Sequence, residues 1–191
     1  MENQERSHYK QMTDFFLSVG ANDIDHSDKS YLGHVIGVYN YLKQRGCDEA
    51  ICDAGMFHSI YGTELFTKFA LPLERRDELK ALIGERAENL GYLFSAMKRE
   101  PFDEAVFQEE GPWPLEDRFT GETVMLDEDV FHDMLVLQVY DWLEQVARLG
   151  WWDYRRKGYR QMAERLGGDA WEEYQKVFAQ ENTEPDTAAT T

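Results

Sequence analysis

Residues 31–59 read YLGHVIGVYNYLKQRGCDEAICDAGMFHS. Leu32, Val35, Ile36, Tyr39 and Leu42 recur at the 3.6-residue period, which predicts a helix from about Ser30 to Gln44. Gly46 suits the position just past a helix end. Asp48 suits the N-cap of a second helix over about 48–60, closed by Gly62. In that helix Ile51, Ala54, Gly55 and His58 fall at i, i+3, i+4 and i+7. His58 therefore lies on the apolar stripe, where surface histidines are not expected.

The helical pattern continues on both sides. A first amphipathic helix spans about 5–19, with Met12, Phe15, Phe16 and Val19 on one side, and Gly20 to Asp23 break it. A short helix is expected over Glu64–Phe69, another after Pro72, and a longer one over about 85–98. Residues 100–126 carry Pro101, Gly111, Pro112, Pro114 and Gly121 without a helical period. There FTGETVML suggests a small β-hairpin turning at Gly121-Glu122. Helix returns over about 127–149 behind Asp127, then over about 153–166 and 169–180, separated by Gly167-Gly168. The expected fold is all-α, a compact multi-helix bundle forming one domain over 1–180, followed by a flexible polar tail at 181–191.

Composition narrows the function classes. Lys plus Arg is 20 against 37 Asp plus Glu, a formal charge of -17, so the long-range field repels nucleic acid and anionic membranes. No run approaches the ~18 apolar residues of a membrane span. Cys47 and Cys52 offer no C-x-x-C pair, and the polar N-terminus has no signal-peptide segment, so a reducing, cytoplasmic location is expected. A small-molecule partner fits this chain better than nucleic acid or membrane, and a homodimer is open.

In the 127–149 helix, Met134, Leu137 and Asp141 lie at i, i+3 and i+7, which places a carboxylate on an apolar face. A buried charge needs a partner, and a metal ion or an imidazolium would supply one. The plainer alternatives are a core histidine at His58 and an Asp141 that caps a helix or pairs with an arginine.

The segment 31–59, followed by IYGTELF and LIGERAENLGYLF, resembles the HD-domain superfamily. The nearest pattern is that of the alarmone hydrolases. Their helix of the form Y-x-x-H-x-x-x-V-x-x-x-L corresponds to Tyr31–Leu42. A helix ending A-x-L-x-H-D corresponds to Ala54–Ser59, a third stretch to Ile83–Leu93, and an A-D-x-L-x-N motif to Tyr140–Gln145. The resemblance covers about 30–149. It implies a divalent metal (Mn, Fe or Zn) held by His34, His58 and Asp141. The departures are as informative. Ser59 stands where the His-Asp aspartate belongs, the acidic pair of the alarmone hydrolases falls at Gly62 and Thr63, and Gln145 replaces an asparagine. These argue against alarmone hydrolysis and towards a divergent branch that shares H-S followed by I-Y-G-T.

Further candidates complete the set. His26, in the loop DIDHSDKS, could serve as a fourth ligand. Glu144, three residues after Asp141, could act as general base or support a ligand, and Tyr61 could meet a substrate or a bound water. Lys29, Ser59 and Thr63 are candidate substrate contacts. His132, beside Asp133, is expected at the surface, as is the cluster Arg155, Arg156, Lys157 and Arg160. The leading expectation is a metal-dependent enzyme hydrolysing a phosphate ester or related bond of a small molecule. The alternatives are a non-haem iron oxygenase of HD type and a non-catalytic domain that binds a ligand or a protein.

Overall fold

Residues 31–59 form two helices packed on each other. The computed structural model describes residues 2–21, 24–26 and 29–183, with side chains for 5–21, 24 and 30–181. Helix α2 spans Tyr31–Gln44, and the Ser30 side chain accepts from Gly33 N as its N-cap. Helix α3 spans Glu49–Phe57, with Asp48 accepting from Ile51 N. Seven of its nine residues, Ile51–Phe57, are buried, because α3 packs against α2 on one side and α5 (Glu85–Ala96) on another. Glycines permit that approach. A Cβ at Gly55 would lie 2.2 Å from a Leu42 methyl, and one at Gly91 would lie 3.2 Å from the Phe57 carbonyl oxygen.

Helix α1 (Glu2–Ser18) lays Met12 and Phe16 onto this pair, with Phe16 stacked on Phe57 at 4.7 Å. The 22-residue α7, Glu128–Leu149, starts behind an Asp127 cap on Val130 N and contacts α2, α3 and α5. Helices α8 (Arg156–Leu166) and α9 (Gly168–Phe178) pack on α7. All these helices share one continuous apolar core. Among the described residues the fold is thus all-α apart from two short antiparallel pairs: β1 (Asp25–His26) with β2 (Lys29–Ser30), and β3 (Trp113–Glu116) with β4 (Thr123–Leu126). No helix among the described residues is long and apolar enough to cross a membrane.

Several boundaries differ from the sequence expectation. Helix α3 stops at Phe57, so His58 is its C-cap, and 58–61 form a turn instead of a further helical turn. No helix forms over 64–69, because Thr63 organises a tight turn. Its backbone N–H donates to Phe66 O at 2.8 Å and its hydroxyl accepts from Phe66 N at 3.0 Å. Instead α4 occupies Arg76–Ile83, after a short 3-10 turn at Leu73–Arg75.

Residues 99–105 are helical (α6) despite Pro101. That proline sits in the first turn, where a missing N–H costs no intrahelical bond. The hairpin exists, but β4 pairs with 113–116 and not within FTGETVML. Asp117 forms the connection, its side chain accepting from Phe119 N at 2.7 Å. Arg155 is not part of a solvated surface cluster. Its side chain is 8% exposed, bonding both Asp103 oxygens at 2.6 and 2.8 Å and Gln138 at 2.9 Å. The expected tail is described only to Thr183, within a 3-10 turn whose Glu181 pairs with Arg156; residues 184–191 lie outside the described residues.

Candidate metal centre and cavity

Three helices each deliver one candidate ligand to a common point. His34 projects from the first turn of α2, His58 from the C-cap of α3 and Asp141 from the middle of α7. Their ligand atoms lie within 4.8 Å of one another, and all three residues are buried. His34 Nε2 is 3.1 Å and His58 Nε2 3.5 Å from the same oxygen, Asp141 Oδ1. Donors ~2.0–2.1 Å from a tetrahedral ion sit roughly 3.3 Å apart, so these spacings fit a first-row divalent cation.

Neighbouring groups orient every ligand. His58 Nδ1 lies 2.7 Å from Gly55 O; the carbonyl can only accept, so the N–H is on Nδ1 and the Nε2 lone pair faces Asp141. His34 Nδ1 lies 3.2 Å from Glu144 Oε2, itself bonded by Arg148 at 3.0 Å. This is the carboxylate–histidine arrangement that fixes the tautomer of metal-ligating imidazoles. Gln145 donates to Asp141 Oδ1 at 3.2 Å and to the Asp141 carbonyl at 3.3 Å. Gly37, one turn beyond His34, leaves the room Glu144 needs: a Cβ there would meet Glu144 Oε1 at 2.6 Å.

The electrostatics separate the two imidazoles. Burial opposes charge on His34, but the hydrogen bonds and charges of Asp141 and Glu144 outweigh it and push it up to about 9. Burial holds His58 below its ordinary value, and the nearby His34 and Arg99 add to this against the pull of Asp141. Without metal, the centre is an imidazolium between two carboxylates beside a neutral histidine. A divalent cation that displaces the His34 Nε2 proton raises the charge of the centre by one and leaves it between the same two carboxylates.

The centre opens into a cavity of about 210 Å³. Its inner wall carries His34, His58, Asp141, Ser59 and Gln145; its sides are aromatic, from Phe66, Phe94, Trp142, Tyr154 and Tyr159. Leu65 and Trp151, both exposed, form its rim with Lys68. Arg99 and Thr63 also line it, the Arg99 Nη2 donating to Thr63 Oγ1 at 3.3 Å.

The other sequence candidates fall in different places. Ser59 and Thr63 reach the cavity, Ser59 donating to the Tyr31 hydroxyl at 3.3 Å. Glu144 stands behind His34, outside the cavity, where it cannot act as a general base on a bound molecule; its place is that of a positioning residue. Tyr61 is also elsewhere. Its hydroxyl donates to the fully buried Glu88 at 2.8 Å, which Arg76 holds with two hydrogen bonds. His132 is exposed, as expected. The side chains of His26 and Lys29 lie outside the described residues. Arg99, Trp142 and the Tyr154/Tyr159 pair were missed from sequence. Only the adjacency of Trp142 to Asp141 offered a signal, since consecutive helical residues diverge by about 100° and share a cavity only at its edge.

The family model of a domain of unknown function, DUF6817, matches residues 15–99. This segment holds His34 and His58 but not Asp141. No curated protein and no solved structure matches the chain.

Proposed function

We propose that this chain is a divergent HD-like, metal-dependent enzyme that hydrolyses a phosphate ester or related bond of a small molecule. The observation that carries the reading is the convergence of His34, His58 and Asp141, each oriented from behind, on one wall of a cavity. A divalent metal held there would lower the pKa of a bound water and polarise a phosphoryl oxygen. The protein's own part is to hold and orient. Glu144 keeps the His34 proton on Nδ1, Gly55 keeps the His58 proton on Nδ1, and Gln145 fixes Asp141. The aromatic walls exclude water from the reacting bond, which strengthens every charge interaction inside. Ser59, where HD enzymes place an aspartate, is a poor ligand, so the site takes one metal and not two.

The test is metal analysis of protein purified without added metal, beside His58→Ala. The expected result is about one divalent ion per chain, absent in the variant, and hydrolysis of p-nitrophenyl phosphate that tracks metal content. A metal-free wild type that takes up no Mn, Fe or Zn would overturn the reading.

The donor set itself favours a second reading. Two histidines and one carboxylate leave several positions open, as in mononuclear non-haem iron oxygenases. Iron-loaded protein that consumes oxygen and leaves phosphate esters intact would select this reading over hydrolysis.

A further inference from the structure

Two residues that line the cavity beside the metal ligands each carry a buried hydrogen-bond donor with no acceptor among the described residues. One is the Trp142 indole N–H, in a side chain that is 4% exposed; the other is Nη1 of Arg99. Glu64 Oε2 forms an ion pair with Arg99 Nη1 at 3.9 Å, beyond hydrogen-bond reach. Leaving a buried donor unpaired is costly, more so when it is charged. Two such donors at one cavity are a site awaiting acceptors. Both are held in place: Arg99 by its Nη2 bond to Thr63 and by its backbone N–H donating to Glu64 at 2.9 Å, and Trp142 by its stack on Tyr159 at 5.1 Å and 4°.

We infer that the cavity binds a small organic oxyanion carrying one planar ring, with Arg99 and Trp142 as the donors to the oxyanion. The inference rests on the cavity being the active site proposed above, and it narrows the substrate class. Charge favours an anion: Arg99 lines the cavity with a side chain only 16% exposed, beside the His34 imidazolium of the metal-free protein. Shape selects a ring, because Phe66, Phe94 and Tyr154 offer flat apolar surface around it. Volume limits its size. An apolar cavity of about 150 Å³ holds one benzene, so about 210 Å³ holds one ring with a phosphate or carboxylate attached.

Calorimetric titration of the full chain in chelator, with four probes, tests this. Phenyl phosphate should bind at least about tenfold more tightly than phenol or inorganic phosphate, because only it uses donors and ring together. Benzoate serves as the carboxylate arm, and its affinity relative to phenyl phosphate identifies the oxyanion. Trp142→Phe keeps the stacked ring and loses the N–H, and should weaken phenyl phosphate about tenfold while leaving phenol unchanged. Arg99→Met should weaken it more. Arg99→Lys, which keeps the charge and loses the fork, serves if the methionine variant does not fold. Phenol binding as tightly as phenyl phosphate, or affinities unmoved in both variants, would overturn the inference. His58→Ala separates it from the metal reading: a wild type that takes up no metal, or a variant that keeps it, with oxyanion binding retained overturns only that reading. A metal-loaded enzyme indifferent to Arg99 and Trp142 overturns only this one.

Discussion

His34, His58 and Asp141 form one histidine–carboxylate cluster; His8, Glu49 and Asp53 form another, where α1 meets α3. Both combine imidazole with carboxylate, two histidines with one aspartate in the first and one histidine with two carboxylates in the second, and the surroundings differ in every respect that matters to chemistry. In the first cluster all three residues are buried, each is oriented by a second group, and the ligand atoms face a cavity. In the second only Asp53 is buried, Glu49 is exposed, and a single bond of 2.7 Å joins His8 Nε2 to Asp53 Oδ2. The first arrangement suits a bound ion with open positions. The second suits a clip that pins an N-terminal helix to the core. Residue type nominates a site, while orientation from behind and space in front make one.

The largest expected effect breaks the first cluster and spares the second. His58→Ala or Asp141→Asn should lower metal affinity by more than about 100-fold, because two donors remain and the open cavity gives the ion no protein substitute. His8→Ala should leave metal content unchanged. Titration of the metal-free protein with zinc or manganese reads both. Equal losses in the two variants would mean that the clusters are not functionally distinct.

A smaller effect comes from behind the ligands. Glu144→Gln retains a hydrogen-bonding group for His34 but removes the charge, and should weaken metal binding about 10–100-fold. Gly37→Ala should act in the same direction without touching any polar group, since its methyl would occupy the space of Glu144 Oε1. A Gly37→Ala protein with unchanged affinity would show that Glu144 has slack behind His34, contrary to the close fit.

The pH dependence has opposite signs for metal binding and for folding. Because His34 is pushed up to about 9 in the metal-free protein, an ion binding near pH 7 must release about one proton. Affinity should therefore rise by up to about tenfold per pH unit towards 9 and flatten above it. Folding without metal runs the other way. The folded value lies above the unfolded 6.5, so the stability from this group is full below 6.5 and is lost as the pH rises through about 9. Calorimetry in buffers of different ionisation enthalpy counts the proton; a count near zero would place the neutral form of His34 in the resting protein.

What could be read from the chain in advance follows from the range of the interactions involved. Caps and periods are local, so α2, α3 and α7, with Ser30, Asp48 and Asp127 at their starts, were legible. Asp141 was legible because a carboxylate on an apolar stripe is anomalous within its own helix. Glu144 was placed on the right helix face, with its task left open between general base and support of a ligand, and the structure places it behind His34 as support. Its partner His34 lies 110 residues away, and sequence cannot show which side of an imidazole a carboxylate approaches. Tyr61 failed for a related reason: the end of α3 at Phe57 turns it towards Glu88 and away from the cavity. Arg99 is invisible at the level of pattern, since a lysine–arginine pair ahead of Pro101 reads as a polar loop until α5 and α6 set it against Thr63.

The smallest expected effect tests the second cluster on its own terms. His8→Leu should cost about 1–2 kcal/mol in urea unfolding, because it removes the partner of a carboxylate that is 2% exposed. Asp53 Oδ1 already has no hydrogen-bond partner, so the variant leaves the whole group buried without one, a state whose cost is desolvation rather than lost attraction. That cost disappears when the charge disappears. Asp53→Leu has nearly the same shape, and combined with His8→Leu it should recover most of the loss and fold at least as well as the single variant, with the metal content of the first cluster untouched. A double variant less stable than His8→Leu alone would show that Asp53 does more than receive His8, and Glu49, the third member, would then be the group to remove next.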